Sequence, residues 1–69
     1  MDKEIIFLVE EAPEGGYIAK ALGHSIYTES DTMDEIREQI KDAVRCHFDE
    51  SQIPKVVRIH FIKEEVLAI

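Results

Sequence analysis

Three histidines and one cysteine are the side chains of this sequence best suited to hold a metal or to act as a nucleophile or base. They are His24, Cys46, His47 and His60. Zinc sites need three or four converging ligands. Neighbouring residues on a helix point about 100° apart, so Cys46 and His47 do not face one ligand position. We expect no metal site, and we interpret Cys46 as a buried packing thiol near a helix C-terminus, where the dipole disfavours a thiolate.

Carboxylates are the other side chains that could carry out chemistry. The sequence has fifteen Asp and Glu residues against eight Lys and Arg residues, for a net charge of −7. Paired carboxylates can serve glycosidase or nuclease chemistry, but these acids fall in predicted loops and on the outside of a predicted helix. Direct nucleic-acid binding requires clustered Lys and Arg, whereas an acidic surface suits solubility or a basic partner. We expect no enzyme activity, no catalytic residue, no cofactor and no direct contact with nucleic acid.

The length and the cysteine count indicate one small cytoplasmic domain. Residues 1–69 form a single domain that buries about 60% of its unfolded surface, and one cysteine forms no internal disulfide. The charged N-terminus leads into only five apolar residues, too few for a signal peptide or a membrane span. We therefore predict a cytoplasmic protein that does not contact a membrane.

The N-terminal part predicts a hairpin. Residues 5–9 are continuously apolar, which predicts a strand over 4–10 that is central in its sheet. Pro13 fixes φ, and Gly15 and Gly16 permit the positive φ of tight turns. The chain leaves this turn through Tyr17.

Three further strands follow from the apolar patterning. We predict strands over 17–22 and 24–29, separated by Gly23, which indicates a bulge or a second turn. A fourth strand over 56–63 alternates apolar and polar residues, so that Val57, Ile59 and Phe61 point one way and Arg58 and His60 the other. After the break at Glu64-Glu65, residues 66–69 form a short apolar tail.

The most secure element is an amphipathic helix that Ser30-Asp31-Thr32 opens and that runs to about Phe48. Thr32 and Glu35 match a capping box. Apolar side chains recur at three- and four-residue spacing. This stripe comprises Met33, Ile36, Ile40, Ala43, Val44, His47 and Phe48.

These elements predict an α+β fold of β-β-β-α-β order. The short connections favour an antiparallel meander for the first three strands, and the apolar first strand belongs at the centre. We expect a four-stranded mixed sheet of order 3-2-1-4, with the fourth strand parallel to the first and the helix on one face. The uncovered apolar surface predicts a homodimer through the opposite sheet face, an edge strand or the tail.

The order of residues over 5–48 resembles the HicB-like antitoxin family. The residues that carry the resemblance are Gly15, Gly16, Tyr17, Gly23, Asp31, Thr32, Glu35 and Ala43. Of these, we expect Gly15, Gly16, Tyr17, Gly23 and Thr32 to define the fold. The resemblance implies a partial ribonuclease-H-like fold without catalytic carboxylates and a partner that is a small basic RNA-cleaving toxin. The family's usual Leu-Pro-Gly-Cys stands here as Ala21-Leu22-Gly23-His24. No DNA-binding segment follows the fourth strand, so a stand-alone HicB-like domain is expected.

Two functions follow as hypotheses. The first is a non-catalytic interaction module whose acids near the hairpin and the helix start oppose a basic partner. These candidate partner-binding residues are Glu10, Glu11, Glu14, Glu29, Asp31 and Glu35. The alternative is a small ligand-binding protein or enzyme that uses His24, His60 and nearby acids.

Overall fold

A computed structural model describes residues 3–63 and 65–69 and shows the predicted order of elements. Met1, Asp2 and Glu64, part of the charged N-terminus and of the break after the fourth strand, lie outside the described residues. The elements are β1 (Glu4–Glu11), β2 (Tyr17–Ala21), β3 (Tyr27–Ser30), α1 (Met33–His47), a 3₁₀ turn (Glu50–Gln52) and β4 (Val56–Ile62). The sheet order β3-β2-β1-β4 confirms the predicted α+β architecture.

The apolar strand β1 is central, as its sequence predicts. It pairs antiparallel with β2 and parallel with β4. Ile5, Phe7 and Val9 are buried on the face that α1 covers, whereas Ile6 and Leu8 are half-buried on the opposite face. A strand that is apolar on both faces buries more apolar surface at the centre of a sheet than at its edge, so the central position is favoured.

The turn between β1 and β2 depends on Gly16. The Ala12 amide donates to the Gly16 carbonyl at 3.0 Å, and the Gly15 amide donates back to the Ala12 carbonyl at 3.1 Å. Gly16 has a φ of 81°, and a Cβ atom there would lie 2.8 Å from the carbonyl oxygen of Ser30. Both the backbone conformation and the close approach of the end of β3 therefore require glycine.

The connection between β2 and β3 is longer than the sequence predicts, and the predicted start of β3 at His24 is wrong. Gly23, at a φ of 78°, forms a turn with Leu22. The Ala21 amide donates to the Ile26 carbonyl at 3.1 Å, which closes the loop. His24 therefore lies in the loop, and β3 begins at Tyr27.

The helix begins where the capping residues predict. Thr32 is the N-cap, and its Oγ1 accepts from the Glu35 amide at 3.1 Å. The apolar stripe is confirmed for Ile36, Ile40 and Val44, which are buried, while its other apolar members are partly buried against the core. These are Met33, Ala43 and Phe48.

Two predicted packing residues of the helix are exposed. Cys46 is solvent-exposed, so its interpretation as a buried thiol is wrong. Two residues advance about 200° around a helix, which puts Cys46 on the side away from Val44. His47 is also exposed, because it is the last residue of the helix and lies outside the core. Its ring lies edge-on to the ring of His24, with centroids 5.7 Å apart.

The helix covers one side of the sheet unevenly. Its backbone lies closest to β3 and β2, so β4 receives little cover. Register with β1 confirms that Val57, Ile59 and Phe61 share one face and shows that it is the helix side, but Ile59 and Phe61 remain 37% and 46% exposed. The Tyr17 and Phe61 rings, with centroids 6.1 Å apart, meet across the end of β1.

We predict that Gly16→Ala destabilises the fold more than Gly15→Ala. Both glycines have positive φ, which costs an L-residue about 1–2 kcal/mol, but only a Cβ at position 16 meets backbone. Urea unfolding of both variants measures the difference. Equal loss of unfolding free energy in the two variants would mean that the contact with Ser30 does not constrain the hairpin.

We also expect Thr32→Ala to lower the free energy of unfolding by about 0.5–2 kcal/mol, because the Glu35 amide loses its side-chain acceptor. Thr32→Ser keeps an acceptor oxygen and serves as the matched control. Thermal unfolding followed by circular dichroism compares the two. If Thr32→Ser and Thr32→Ala lower the melting temperature equally, the hydroxyl is not acting as a cap.

Candidate functional site

A cleft of about 510 Å³ lies between the β1–β2 loop, the end of β3 and the start of α1. Its walls include four of the six predicted partner-binding acids, namely Glu14, Glu29, Asp31 and Glu35. The cleft is open to solvent, so it suits a side chain or a loop of a partner better than an enclosed small molecule.

Two features of the fold bring Glu14, Asp31 and Glu35 together. The close approach of Gly16 to the Ser30 carbonyl holds the β1–β2 loop, and with it Glu14, against the end of β3. The Thr32 cap fixes the start of α1 and places Asp31 just before the helix and Glu35 in its first turn. The positive end of the helix dipole stabilises carboxylates at these positions. Asp31 and Glu35 therefore stabilise the start of α1, and their negative charge would also attract basic groups of a partner.

The remaining predicted acids lie apart from this cleft. Glu10 faces away from α1, since it alternates with Val9 along β1. Glu11 is exposed at the end of β1 opposite Tyr17. Strand alternation therefore separates Glu10 from the cleft, whereas Glu11 lies on the helix side of β1 but does not line the cleft.

Glu29 borders the cleft, but its carboxylate interacts on the other face of the sheet. The Tyr27 hydroxyl donates to Glu29 Oε2 at 3.3 Å. Partial desolvation, followed by the negative charges of Glu29 and Glu10, raises the pKa of Tyr27 above its ordinary value of 10.0. This pKa shift is consistent with a shared face for Tyr27, Glu29 and Glu10.

The residues predicted to define the fold have distinct places around the site. Gly15 and Gly16 form the turn that borders the cleft, and Thr32 caps the helix beside it. Tyr17 lines the cleft and is also half-buried against the core. Gly23 lies away from the cleft, in the loop that precedes β3.

The histidines of the alternative hypothesis are not brought together. His24 packs on the helix side, with its ring centroid 5.0 Å from that of Phe48, whereas His60 pairs in register with Leu8 on the opposite face. Among residues 3–63 and 65–69, no three His, Cys, Asp or Glu side chains converge in a way that could hold a metal ion.

Sequence reasoning missed a second depression, between the C-terminal half of α1 and the start of β4. This α1–β4 groove has a volume of about 360 Å³. Apolar side chains of Val44, Ile53 and Val57 line it together with the basic residues Lys41, Arg45 and Lys55. The spacing of Lys41 and Arg45 along the helix was the available signal, but only the position of α1 over β2 and β3 opens the groove beside β4.

The described residues include no helix that is long and apolar enough to cross a membrane.

Comparison with known proteins finds two clear relatives. The chain is 49% identical over 67 residues to a UPF0150 protein of Thermotoga maritima, covering 97% of this chain and 94% of that protein. It is 54% identical over 52 residues to a UPF0150 protein of Archaeoglobus fulgidus, covering 75% and 77% of the two chains. No family model and no solved structure matches.

We predict that Glu29→Gln moves the ionisation of Tyr27 toward lower pH, because the variant removes the adjacent negative charge. The measurement is a spectrophotometric titration of tyrosinate in a Tyr17→Phe background, which leaves Tyr27 as the only tyrosine. Glu14→Gln in the same background is the control. Since the raised folded-state pKa favours the neutral phenol, the associated stability is present below pH 10 and is lost as pH rises through the folded-state pKa. An unchanged titration in Glu29→Gln contradicts the assignment.

Proposed function

The chain belongs to the UPF0150 family, and we propose that it is a non-catalytic, cytoplasmic interaction module of the HicB-like type that binds a small basic protein. The observation that supports this most directly is the acid-lined cleft between the hairpin and the start of α1. The separation of His24 from His60 removes support from the alternative ligand-binding or enzymatic role.

Electrostatics favours a basic partner for this cleft. The whole chain carries a net charge of −7, and three carboxylate residues from two loops and the first helical turn border one opening. They are Glu14, Asp31 and Glu35. A cationic partner would be steered toward such a surface, and complementary charge increases the association rate and fixes orientation more than it adds affinity.

The resemblance to HicB-like antitoxins narrows the class of partner to a small basic RNA-cleaving toxin, which the module would block. We also propose that the module works as a homodimer. A chain of 69 residues has a small core and gains stability from association, and its exposed large apolar side chains concentrate on β4 and in the tail.

We predict that Glu14→Lys and Asp31→Lys each weaken binding to the proposed small basic partner, by roughly threefold or more at low salt. Glu50→Lys makes the same change of charge beyond the far end of α1 and is the matched control. Co-expression, co-purification and binding kinetics at two salt concentrations provide the measurements.

The expected pattern is a lower association rate in the two cleft variants, little change in the control, and loss of the complex at high salt. The proposed function is wrong if no small basic protein co-purifies at any salt concentration. The cleft is wrongly assigned if Glu50→Lys weakens the complex as much as the cleft variants do.

A further inference from the structure

The outer edge of β4 is the least protected edge of the sheet. In the described residues no strand pairs with it, although β4 is seven residues long and β3, at the other edge, has only four. Its apolar side chains are exposed on both faces: Val56 41%, Ile59 37%, Phe61 46% and Ile62 44%. Long apolar edges of this kind pair with other strands unless charge or cover prevents it.

We propose that two copies of this chain pair antiparallel through β4 and that the tail of each copy, residues 65–69, occupies the α1–β4 groove of the other. This inference rests on the proposed homodimer and specifies its interface. It is independent of the basic partner, which would bind at the acid-lined cleft.

The residue pattern of β4 selects one register. A two-fold axis at Ile59 sets Ile59 against Ile59 and Val57 against Phe61 of the second copy, so that the helix-side face is apolar throughout. On the other face Arg58 lies opposite His60 of the second copy. An axis at Arg58 instead opposes two arginines, and an axis at His60 sets Arg58 against Ile62. Since cross-strand pairs determine sheet stability, the axis at Ile59 is favoured.

The tail and the groove match in polarity and charge. The tail begins with Glu65 and continues with Val66 and Leu67, and its large apolar side chains are almost fully exposed. The groove has an apolar floor that includes Val44 and Val57. Lys41, Arg45 and Lys55 also line the groove, and the exposed side chains of Lys41 and Arg45 form ion pairs with Glu38 and Asp42 along the helix, at 3.3 and 3.5 Å. An acidic residue followed by apolar residues is the complement of this surface.

The strand pairing and the tail contact support each other geometrically. In the antiparallel register, Ile62 of one copy lies beside Val56 of the other, so the tail leaves β4 next to the neighbour's Lys55 and Val57. Its own groove is less accessible. Val57 and Ile62 are separated by five residues, or about 17 Å of strand, and the four residues from Ile62 to Val66 extend at most about 14 Å.

Exchange of tails in both directions closes the assembly. Each copy contributes the same β4 edge and the same tail, which is an isologous two-fold interface. The result is one continuous eight-stranded sheet with both helices on the same face. Only the short β3 edges remain unpaired, so further growth is disfavoured.

The test is sedimentation equilibrium of the full chain and of two variants, Ile59→Lys and Leu22→Lys. Ile59→Lys places two like charges together at the two-fold axis and should raise the dimer dissociation constant at least about tenfold. Leu22→Lys makes the same chemical change at an apolar side chain of similar exposure, 49%, outside β4, and should leave association unchanged. Circular dichroism shows whether each variant is folded.

A charge exchange tests the tail separately. Glu65→Lys and Lys55→Glu should each weaken the dimer, and the double variant should recover association, because an opposite pair is restored between the copies. This cycle does not depend on Ile59→Lys, so it decides the question even if that variant fails to fold.

Each outcome has a separate meaning. A dimer that weakens in Ile59→Lys and is rescued by the charge exchange supports the inference. A wild-type monomer at tens of micromolar overturns both this interface and the proposed homodimer. A dimer insensitive to Ile59→Lys, or weakened more by Leu22→Lys, overturns the β4 interface alone. Absence of rescue in the double variant overturns the tail contact.

Discussion

The structure depends on the limited area that one helix can cover on a four-stranded sheet. Neighbouring strands lie about 4.8 Å apart, so four strands span roughly 14 Å between outer axes, while a helix with its side chains is about 10–12 Å wide. The helix α1 lies over β2 and β3 and reaches the central strand β1. The side of β4 that faces the helix layer is therefore left open to solvent.

This constraint explains where the core ends. Every buried residue in the described part of the chain is apolar: Ile5, Phe7, Val9, Ala19, Ile26, Ile36, Ile40 and Val44. Along β4 only Val57 packs partly against this cluster. Tyr17 and Phe61 partly replace the missing cover at the end of β1. A second helix or a second chain would be needed to bury the rest of β4.

The architecture could be predicted because its determinants are local in the sequence. A strand apolar on both faces must be central, and the Thr32 cap marks the helix start whatever the tertiary contacts. The lateral position of α1 could not be predicted, because the periodicity of Ile36, Ile40 and Val44 defines a helix face but not the strands beneath it.

The predicted burial of Cys46 and the predicted start of β3 were both wrong, and each error has a local cause. Cys46 is an apolar residue type on the solvent side of α1, and the expectation of burial followed residue type rather than angular position. The start of β3 was placed too early because the apolar Ile26 was assigned to the strand. Ile26 is buried although it belongs to a loop, and its carbonyl accepts a hydrogen bond from the Ala21 amide. In both cases apolar character was taken as evidence for an element that the backbone does not form.

Part of the candidate site could be predicted because some of its residues are close to one another in the sequence. Choosing acids near the hairpin and helix start identified Glu14, Asp31 and Glu35, because sequence neighbours of a turn and of a helix cap stay near them in space. Residues on a strand differ, because neighbouring side chains point to opposite faces of the sheet. Glu10, next to the buried Val9, therefore points away from α1. The Gly16 contact with Ser30 that joins the two loops involves residues far apart in sequence and is visible only in the fold.

The two depressions lie on different sides of the helix, and this separation bears on how the molecule can work. The acid-lined cleft involves β3 and the N-terminal half of α1, whereas the α1–β4 groove involves the C-terminal half of α1 and the opposite edge of the sheet. Acidic residues border the first and basic residues the second, although Lys41 and Arg45 also pair with Glu38 and Asp42 on the helix. The proposed cationic partner would be attracted to one end, and the tail of a second copy, which begins with Glu65, to the other. Because the two surfaces share no lining residue, self-association would leave the cleft open, and a dimer would present two such clefts to its partners.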